Sequence, residues 1–411
     1  MAVVVTGLGA TTPLGGDVRS TWEAALAGRS GVRTLENDWA ERYGIPVSFA
    51  GQIAVSPEEV LKRPEIKRMD PSAQFAIIAT REAWADAGSP EVDPERLGTV
   101  VSSGIGGVWT LLTAWDTVKE RGAERVLPLT VPMLMPNSPT AYVELELGAK
   151  AGAHAPVSAC ASGAEAIGMA FEMIESGRAD VVVAGGTEAA IHPLPISAFA
   201  AMQALSKRND DPAGASRPYD TTRDGFVLGE GAGIVVLESE EHARARGAKI
   251  YARLTGLGLT SDAHHIAAPD PEGAGQQRAM RIAIERAGLT ANDIVHVNAH
   301  ATSTPAGDMV EARGIRSVMG AHADNVLLSA TKSMTGHLLG GAGALESVFT
   351  ILALHERTAP PTINVNSPDP ELQVDLVRDT PRALPASGDL AAINNAFGFG
   401  GHNAALLFTT V

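Results

Sequence analysis

The chain has 411 residues, of which 45% are hydrophobic and 19% are charged, and its formal net charge is −15. This composition predicts a folded protein with a large core. It disfavours disorder and a general nucleic-acid surface, because phosphate backbones are bound by clustered Lys and Arg side chains. The sequence shows no long apolar run and no basic-then-apolar start, so we expect a cytoplasmic protein without a membrane span or a secretory signal.

The first half of the chain alternates predicted strands with predicted helices. A buried strand at AVVVTGLGATT is followed by a helix at STWEAALAG. Further strands are predicted at LGTVVSSG, ADVVVAGGTE and GAGIVVLES, with helices at SAQFAIIATREAWADAG and GAEAIGMAFEMIESG. This alternation is typical of an α/β fold with a buried, largely parallel sheet.

A second series of the same kind follows the charged helix SEEHARARG. It predicts strands at IYARLTGLGL, DIVHVNAH, NVLLSAT, LAAINNAF and NAALLFTTV, and helices at GQQRAMRIAIERAG and GALESVFTILALHE. The repeated order predicts a structural duplication, with one half at residues 1–246 and the other at residues 247–411. No low-complexity linker separates the halves, so we expect them to pack as one body.

Cys160 is the single cysteine, so it cannot form an internal disulfide or supply a thiolate metal cluster. The segment PVSACASGAEAIG places it where a short apolar run meets a predicted helix. Unpaired N–H groups at a helix start favour the thiolate, which is the nucleophilic form. From local context alone, a buried and inert cysteine explains the position equally well.

His300 follows a predicted strand in VHVNAHATSTPAGD, and α/β folds place active sites at strand ends. His296 lies four residues earlier, but a strand lacks the helical geometry of an HExxH metal site, so no metal site is predicted. A histidine with a purely structural role is the alternative interpretation of His300.

Two glycine-rich segments complete the candidate motifs. ATKSMTGHLLGGAGALE carries Lys332 and His337 in a loop and lacks the spacing of a nucleotide-binding P-loop. INNAFGFGGHN places Phe397 and Phe399 among glycines, which permits close backbone approach and movement of an aromatic ring. Taken singly, each segment is also explained as a structural turn.

One basic cluster stands out in this acidic chain, in the segment LKRPEIKRMD. Its members are Lys62, Arg63, Lys67 and Arg68. Such clusters usually face solvent without a partner. This cluster gains meaning if the substrate arrives on an acidic carrier.

Together the motifs resemble those of the β-ketoacyl-acyl carrier protein synthases, specifically the type II, elongating branch with a Cys, His, His triad. The matching segments run in the expected order from VVVTGLGATTPLG to FGFGG, through VSACASGAEAIG, SRPYDTTRDGFVLGEGAG, NAHATSTPAGD and ATKSMTGHLLGGAGALE. They span nearly the whole chain. The resemblance implies an α/β, thiolase-like fold, a duplicated αβαβα five-layer sandwich, and a homodimer.

The resemblance also implies a reaction, the decarboxylative Claisen condensation of an acyl group on Cys160 with malonyl carried by an acidic acyl carrier protein. No cofactor is implied beyond the phosphopantetheine of the carrier. His300 and His337 would support decarboxylation, Lys332 would organise them electrostatically, and the backbone N–H groups of Cys160 and Phe399 would hold the oxyanion. Phe399 would also act as a gate, and Thr302 and Thr304 would bind pantetheine. The acyl pocket would include Ile105, Phe199 and Val131 of the partner subunit, with structural support from Glu346 and Asp308. The carrier would dock on Lys62, Arg63, Lys67, Arg68, Lys207 and Arg208.

One residue departs from the family pattern. Ala301 stands in the HAT motif where the family commonly has glycine. If the backbone has a positive φ there, alanine introduces strain.

Two alternatives stay open. The ketosynthase subunit of an aromatic polyketide system shares the motifs. A non-catalytic, carrier-binding partner that retains the fold is the alternative from another class. A thiolase is disfavoured, because it would carry a second catalytic cysteine and the chain has only one.

Overall fold

A computed structural model describes residues 1–411 of the chain. Its strands are β1 (Val3–Thr11), β2 (Arg33–Thr34), β3 (Phe49–Ala50), β4 (Leu97–Ser102), β5 (Ala153–His154), β6 (Val181–Glu188), β7 (Gly231–Ser239), β8 (Ala252–Ser261), β9 (Ile294–Asn298), β10 (Leu327–Ser329), β11 (Thr358–Ala359), β12 (Asp375–Leu376), β13 (Arg382–Ala383), β14 (Ala391–Gly398) and β15 (His402–Thr409).

The helices connect these strands, and none of them is long and apolar enough to cross a membrane. They are α1 (Val18–Leu26), α2 (Trp39–Tyr43), α3 (Pro57–Val60), α4 (Arg63–Ile66), α5 (Pro71–Asp86), α6 (Val108–Arg121), α7 (Thr130–Leu134), α8 (Ser138–Leu147), α9 (Ser162–Glu175), α10 (Pro193–Ala201), α11 (Glu240–Ala245), α12 (Ala274–Arg286), α13 (Gly307–Met319), α14 (Lys332–Thr335) and α15 (Ala342–His355).

The main sheet repeats one pairing scheme in its two halves. The first half has the strand order β5-β4-β6-β7-β1 and the second has β12-β10-β9-β14-β15-β8. In the first half, β7 pairs antiparallel with both β1 and β6, while β6 and β4 are parallel. In the second half, β15 pairs antiparallel with both β8 and β14, while β14 and β9 are parallel. The prediction of a largely parallel sheet is therefore wrong, because the sheet is mixed. The boundary at residue 246 stays a prediction.

The helices form three layers around the two halves of the sheet. On the outside, α5 packs on β1 and β7, and α12 packs on β8 and β15. Between the halves lie α9 and α15, which contact each other. Every residue of α15 from Ala342 to Leu354 is buried, as expected for a helix that is apolar on all sides. The arrangement is the expected thiolase-like αβαβα five-layer sandwich.

Glycines allow the starts of the two central helices to meet. A Cβ atom on Gly163 of α9 would lie 2.7 Å from the carbonyl oxygen of Gly340 and 2.9 Å from the Cβ of Ala344. A Cβ on Gly343 of α15 would lie 2.9 Å from the Cβ of Ala164. These atoms belong to backbone or to short side chains that cannot move aside, so the close approach requires glycine at both positions.

This packing predicts opposite effects for two glycine substitutions in helices. Gly343→Ala should lower the free energy of unfolding by about 1–2 kcal/mol, because the added methyl group overpacks the helix contact. Gly314→Ala in α13 is the matched control, since its Cβ would meet its nearest neighbour at an ordinary 3.4 Å. It should raise the stability by up to about 1 kcal/mol through helix propensity. Chemical denaturation measures both, and equal stabilisation by the two variants would contradict this packing.

Candidate active site

A cavity of about 440 Å³ lies where the two halves of the chain meet. Its volume is in the range of small-molecule sites. The first half contributes Cys160 and Phe199 to its wall, and the second half contributes several more of the residues that the sequence singled out. These are His300, Ala301, Thr302, Thr304, His337, Phe397 and Phe399. The structure therefore brings the predicted nucleophile and both predicted histidines into one space.

Cys160 sits in a tight 3₁₀ turn, Ala159–Ala161, directly before α9. The end of β14 crosses this turn so closely that a Cβ on Gly398 would lie 3.2 Å from the Cys160 nitrogen. The backbone N–H of the next residue, Phe399, lies close enough to the sulfur to lower the pKa of the thiol. Cys160 is 8% exposed and lines the cavity, so it is not sealed in the core.

The thiol of Cys160 is neutral in the resting protein. Burial raises its pKa to about 12, against the lowering effects of the Lys332 charge and the Phe399 N–H. The expected resting thiolate at the helix start is therefore wrong, because the loss of solvation outweighs the favourable helix field. The sulfur has to lose its proton as it attacks.

The two histidine rings stand perpendicular to each other at the cavity wall. The centroids of His300 and His337 are 5.4 Å apart, with an angle of 87° between the ring planes. Phe397 packs beside His300 and Phe226 packs edge-on to His337. Burial, followed by the charge of Lys332, holds the pKa of both imidazoles well below the usual range. Both rings are therefore neutral and can donate N–H groups into the cavity.

Lys332 lies beneath the histidines rather than in the cavity wall. It is fully buried and forms an ion pair with Glu346. Its Nζ is 3.5 Å from Nδ1 of His300. Burial raises the pKa of Glu346 to about 7, while Lys332 opposes that shift. The buried charge therefore acts on the site through the field that it places on His300.

Glu311 of α13 fixes the backbone around His300, and sequence reasoning missed it. Its two carboxylate oxygens accept the backbone N–H groups of His300 and Ala301, each at 2.8 Å. Asn395 donates a further hydrogen bond to it at 3.1 Å. The sequence signal that could have revealed Glu311 is a carboxylate among the apolar residues of an amphipathic helix.

Asp308 holds the turn that carries the predicted pantetheine-binding hydroxyls. It is fully buried and accepts the backbone N–H groups of Ser303 at 3.0 Å and Thr304 at 3.2 Å. The hydroxyls of Thr302 and Thr304 are 3.2 Å apart and both residues line the cavity. Asp308 thus supports the turn without reaching the cavity itself.

Two predicted acyl-pocket residues do not line this cavity in the single chain. Ile105 is 40% exposed and Val131, in α7, is 62% exposed. Phe199 is the predicted pocket residue that does reach the wall. The assignment of Val131 depends on a second subunit, and the assignments of both residues stay predictions.

The predicted docking residues lie on the surface. Lys62, Arg63, Lys67 and Arg68 are all exposed, and three of them frame a shallow depression with Pro64. The backbone of this segment is fixed, since Gln74 donates hydrogen bonds to the carbonyl oxygens of Ile66 and Met69. Outside this segment, Lys207 is exposed, whereas Arg208 is half-buried and pairs with Asp224.

His296 and His300 do not converge on a common point. His296 is buried and its Nε2 is 2.9 Å from the hydroxyl of Ser329, whereas His300 lines the cavity. Sequence reasoning also missed part of the cavity wall. The polar members that it missed are Gln203, Asp262, His265, Gln276, Glu311 and Asn403.

The backbone at Ala301, where the family commonly has glycine, has a positive φ of 20°. Ala301→Gly should therefore be neutral or stabilise the protein by up to about 1 kcal/mol, since relief of strain offsets the entropy cost of glycine. Ala299→Gly is the control, because Ala299 is buried nearby without a positive φ, and it should cost about 1 kcal/mol. Thermal unfolding compares the two, and equal losses would show that Ala301 is unstrained.

Both halves of the chain match models of one family. Residues 1–243 match the beta-ketoacyl synthase N-terminal domain, and residues 251–366 match the beta-ketoacyl synthase C-terminal domain.

Full-length relatives share this similarity. The chain is 46% identical to 3-oxoacyl-(acyl-carrier-protein) synthase 2 of Mycobacterium tuberculosis, over 99% of this chain and 96% of that protein. It is 45% identical to the Staphylococcus aureus protein of the same name, over 99% and 97% of the two chains.

Two solved structures have the same fold. A type II polyketide ketosynthase, solved in complex with its acyl-carrier protein, has a TM-score of 0.91 at 32% identity and covers 100% of this chain and 99% of its own. A beta-ketoacyl synthase from Burkholderia phymatum has a TM-score of 0.90 at 36% identity, with the same coverage. The chain belongs to the β-ketoacyl synthase family.

Proposed function

We propose that the chain is a 3-oxoacyl-(acyl-carrier-protein) synthase that elongates fatty acyl chains by decarboxylative Claisen condensation. The observation that carries this proposal is the meeting of Cys160, His300 and His337 at one cavity formed by both halves of the chain. The relatives at 45% identity or more that are named 3-oxoacyl-(acyl-carrier-protein) synthase 2 support it.

The first step moves an acyl group from the carrier to Cys160. The sulfur attacks the carbonyl carbon of the carrier thioester, and the bond to the pantetheine sulfur breaks. The thiol proton of Cys160 leaves, and the released pantetheine thiol takes up a proton. A cysteine suits this step because its thiolate both attacks well and leaves easily in the later condensation.

The second step breaks the bond between the carboxylate and the α-carbon of the malonyl thioester. Carbon dioxide leaves, and the electron pair of the broken bond stays on the α-carbon. The product is an enolate, whose negative charge lies on the thioester oxygen. His300 and His337 are neutral, so both can donate an N–H group to that oxygen. The charge of Lys332 below His300 further stabilises negative charge in the cavity.

The third step joins the two carbon chains. The enolate carbon attacks the carbonyl carbon of acyl-Cys160, and the resulting oxyanion faces the backbone N–H groups of Cys160 and Phe399. The close crossing of Gly398 over the turn of Cys160 supports this role, because it brings both N–H groups to the sulfur. Collapse of the intermediate returns the electron pair to the sulfur, which takes up a proton to restore the thiol, and releases the 3-oxoacyl product on the carrier.

A polyketide ketosynthase is the second candidate function. The fold match at a TM-score of 0.91 to such an enzyme favours it, although the identity is 32%. Profiling with carrier-bound substrates separates the two functions. Repeated extension of saturated acyl groups supports fatty-acid elongation, and selective extension of poly-β-keto chains supports the polyketide role.

The carrier docks, in this proposal, on the basic segment Lys62–Arg68. Its side chains are free to meet an acidic partner, and they are concentrated on a chain whose net charge is −15. Complementary charge speeds encounter and fixes orientation. Lys207 extends this surface better than Arg208, whose guanidinium already pairs with Asp224.

The proposal includes that two copies of the chain associate as a homodimer. Large apolar side chains are exposed along one continuous stretch of sequence that includes α6 and α7, which is unusual for a monomer surface. They are Ile105, Leu111, Trp115, Leu127, Leu129 and Val131. Covering this surface with a second copy would also bring Val131 of the partner subunit to the acyl pocket.

Removing the nucleophile should separate the two half-reactions. Cys160→Ala should abolish condensation, because no acyl-enzyme forms, yet still release carbon dioxide from malonyl-carrier protein, because both histidines remain. His337→Ala should lower carbon dioxide release by roughly 10²–10³-fold, as expected for the loss of one oxyanion donor. Radiolabelled carbon dioxide and product chromatography measure the two activities. Chain extension by Cys160→Ala would overturn the assignment of the nucleophile.

Reversing charge in the basic segment should weaken carrier binding. The double change Lys67→Glu and Arg68→Glu should raise KM for the carrier substrate roughly tenfold with little change in kcat, since these side chains lie away from the cavity. Lys150→Glu with Arg378→Glu is the control, because both residues are exposed and the net charge changes equally. An unchanged KM in the first variant, or an equal rise in the control, would refute docking at this segment.

A further inference from the structure

Glu188 is a fully buried carboxylate at the carboxyl end of β6, and the proposed reaction does not use it. Its Oε1 accepts hydrogen bonds from the Ser103 hydroxyl at 2.6 Å and the Ile105 N–H at 3.3 Å. Its Oε2 accepts the N–H groups of Gly104 at 2.9 Å and Gly340 at 3.0 Å. Both oxygens of one carboxylate thus hold donors from two separate loops.

One of these loops belongs to the wall of the site, and the other packs on the turn that carries the nucleophile. Gly340 lies in the turn Leu339–Gly341, which connects the His337 loop to α15, and Leu339 lines the cavity. The other loop follows β4 and packs on the turn of the nucleophile. A Cβ on Gly104 would lie 3.2 Å from the carbonyl oxygen of Ala159.

The turns on either side of Glu188 contain strained backbone. Ala159, next to the nucleophile, has a φ of 51°, and Leu339 has a φ of 47°. Residues with side chains adopt such angles only when their surroundings hold them there. Glu188 accepts hydrogen bonds from the two loops beside these turns. Among side chains, only a carboxylate can accept donors on both of its terminal atoms.

We propose that Glu188 is a positioning residue that fixes the Ser103–Ile105 loop relative to the turn before α15 and, through the packing of Gly104 on Ala159, supports the turn of Cys160. It touches no reacting atom and acts through the backbone N–H groups that it binds. The effect on condensation rests on the proposed function, whereas the effect on the thiol of Cys160 does not.

Burial raises the pKa of Glu188 to about 7, so the carboxylate is charged at mildly alkaline pH, where it also acts on the sulfur. Burial and this carboxylate raise the pKa of Cys160, and Lys332 lowers it. The other groups that face the sulfur, His300 and His337, are neutral because burial lowers their pKa. Removing the charge of Glu188 should therefore make the thiol ionise more readily, even though the turns are held less well.

The test is Glu188→Gln, which keeps the size of the side chain but points an NH₂ group at one pair of N–H or O–H donors. We expect kcat for condensation to fall roughly 10–100-fold, with KM for the carrier substrates unchanged. We also expect iodoacetamide to alkylate Cys160 several-fold faster at mildly alkaline pH. Alkylation needs neither carrier nor malonyl substrate, so it reports on Glu188 even if the proposed condensation fails.

Two further variants keep the inference testable if Glu188→Gln does not fold. Ser103→Ala removes one donor and keeps the charge, so kcat should fall several-fold without faster alkylation. Glu230→Gln removes another buried carboxylate, one that accepts an N–H from Ile53 instead, and should not accelerate alkylation. Wild-type kcat in Ser103→Ala, or slowed alkylation in a folded Glu188→Gln protein, would overturn the role of Glu188.

Discussion

The close approach of α9 and α15 is the constraint on which the rest of the structure depends. Gly163, Gly340 and Gly343 leave no room for a side chain where these helices begin. The turn of Cys160 precedes one helix start and the loop of His337 precedes the other, so the packing of the two helices brings the two side chains to a common cavity. The duplicated fold thus places the nucleophile on the first repeat and the two histidines on the second, and brings them together at its central helix layer.

The three side chains that carry the proposed reaction are uncharged before it begins. Cys160 is a neutral thiol and the two histidines are neutral imidazoles, all because burial disfavours their charged forms. Lys332 is the buried cation beneath them, and Glu346 compensates it. Negative charge therefore appears on the reacting groups only as bonds change, where fixed N–H donors and a fixed cation stabilise it more strongly than water could.

Much of this architecture could be predicted from the sequence, and the exceptions have physical causes. Long buried strands and the central helices have clear apolar patterns, but strand direction depends on tertiary pairing, so the antiparallel pairs of β1 and β7 were missed. The helix α6 was also missed, although its apolar residues recur at helical spacing, at Val108, Leu111, Leu112, Trp115 and Val118. Of these, Val108 alone is buried in the single chain. Glu311 and Glu188 carry no motif of their own. Glu188 could have been noticed as a carboxylate that ends a buried strand.

The central claim is that Cys160 carries the acyl group, and mass spectrometry of the intermediate tests it most directly. The protein is incubated with acyl-loaded carrier protein without malonyl substrate, quenched in acid and digested. We predict one acyl group per chain, confined to the peptide that contains Cys160 and released by hydroxylamine as expected for a thioester. An acyl group on any other residue, or none on a folded protein with an active carrier, would contradict the account.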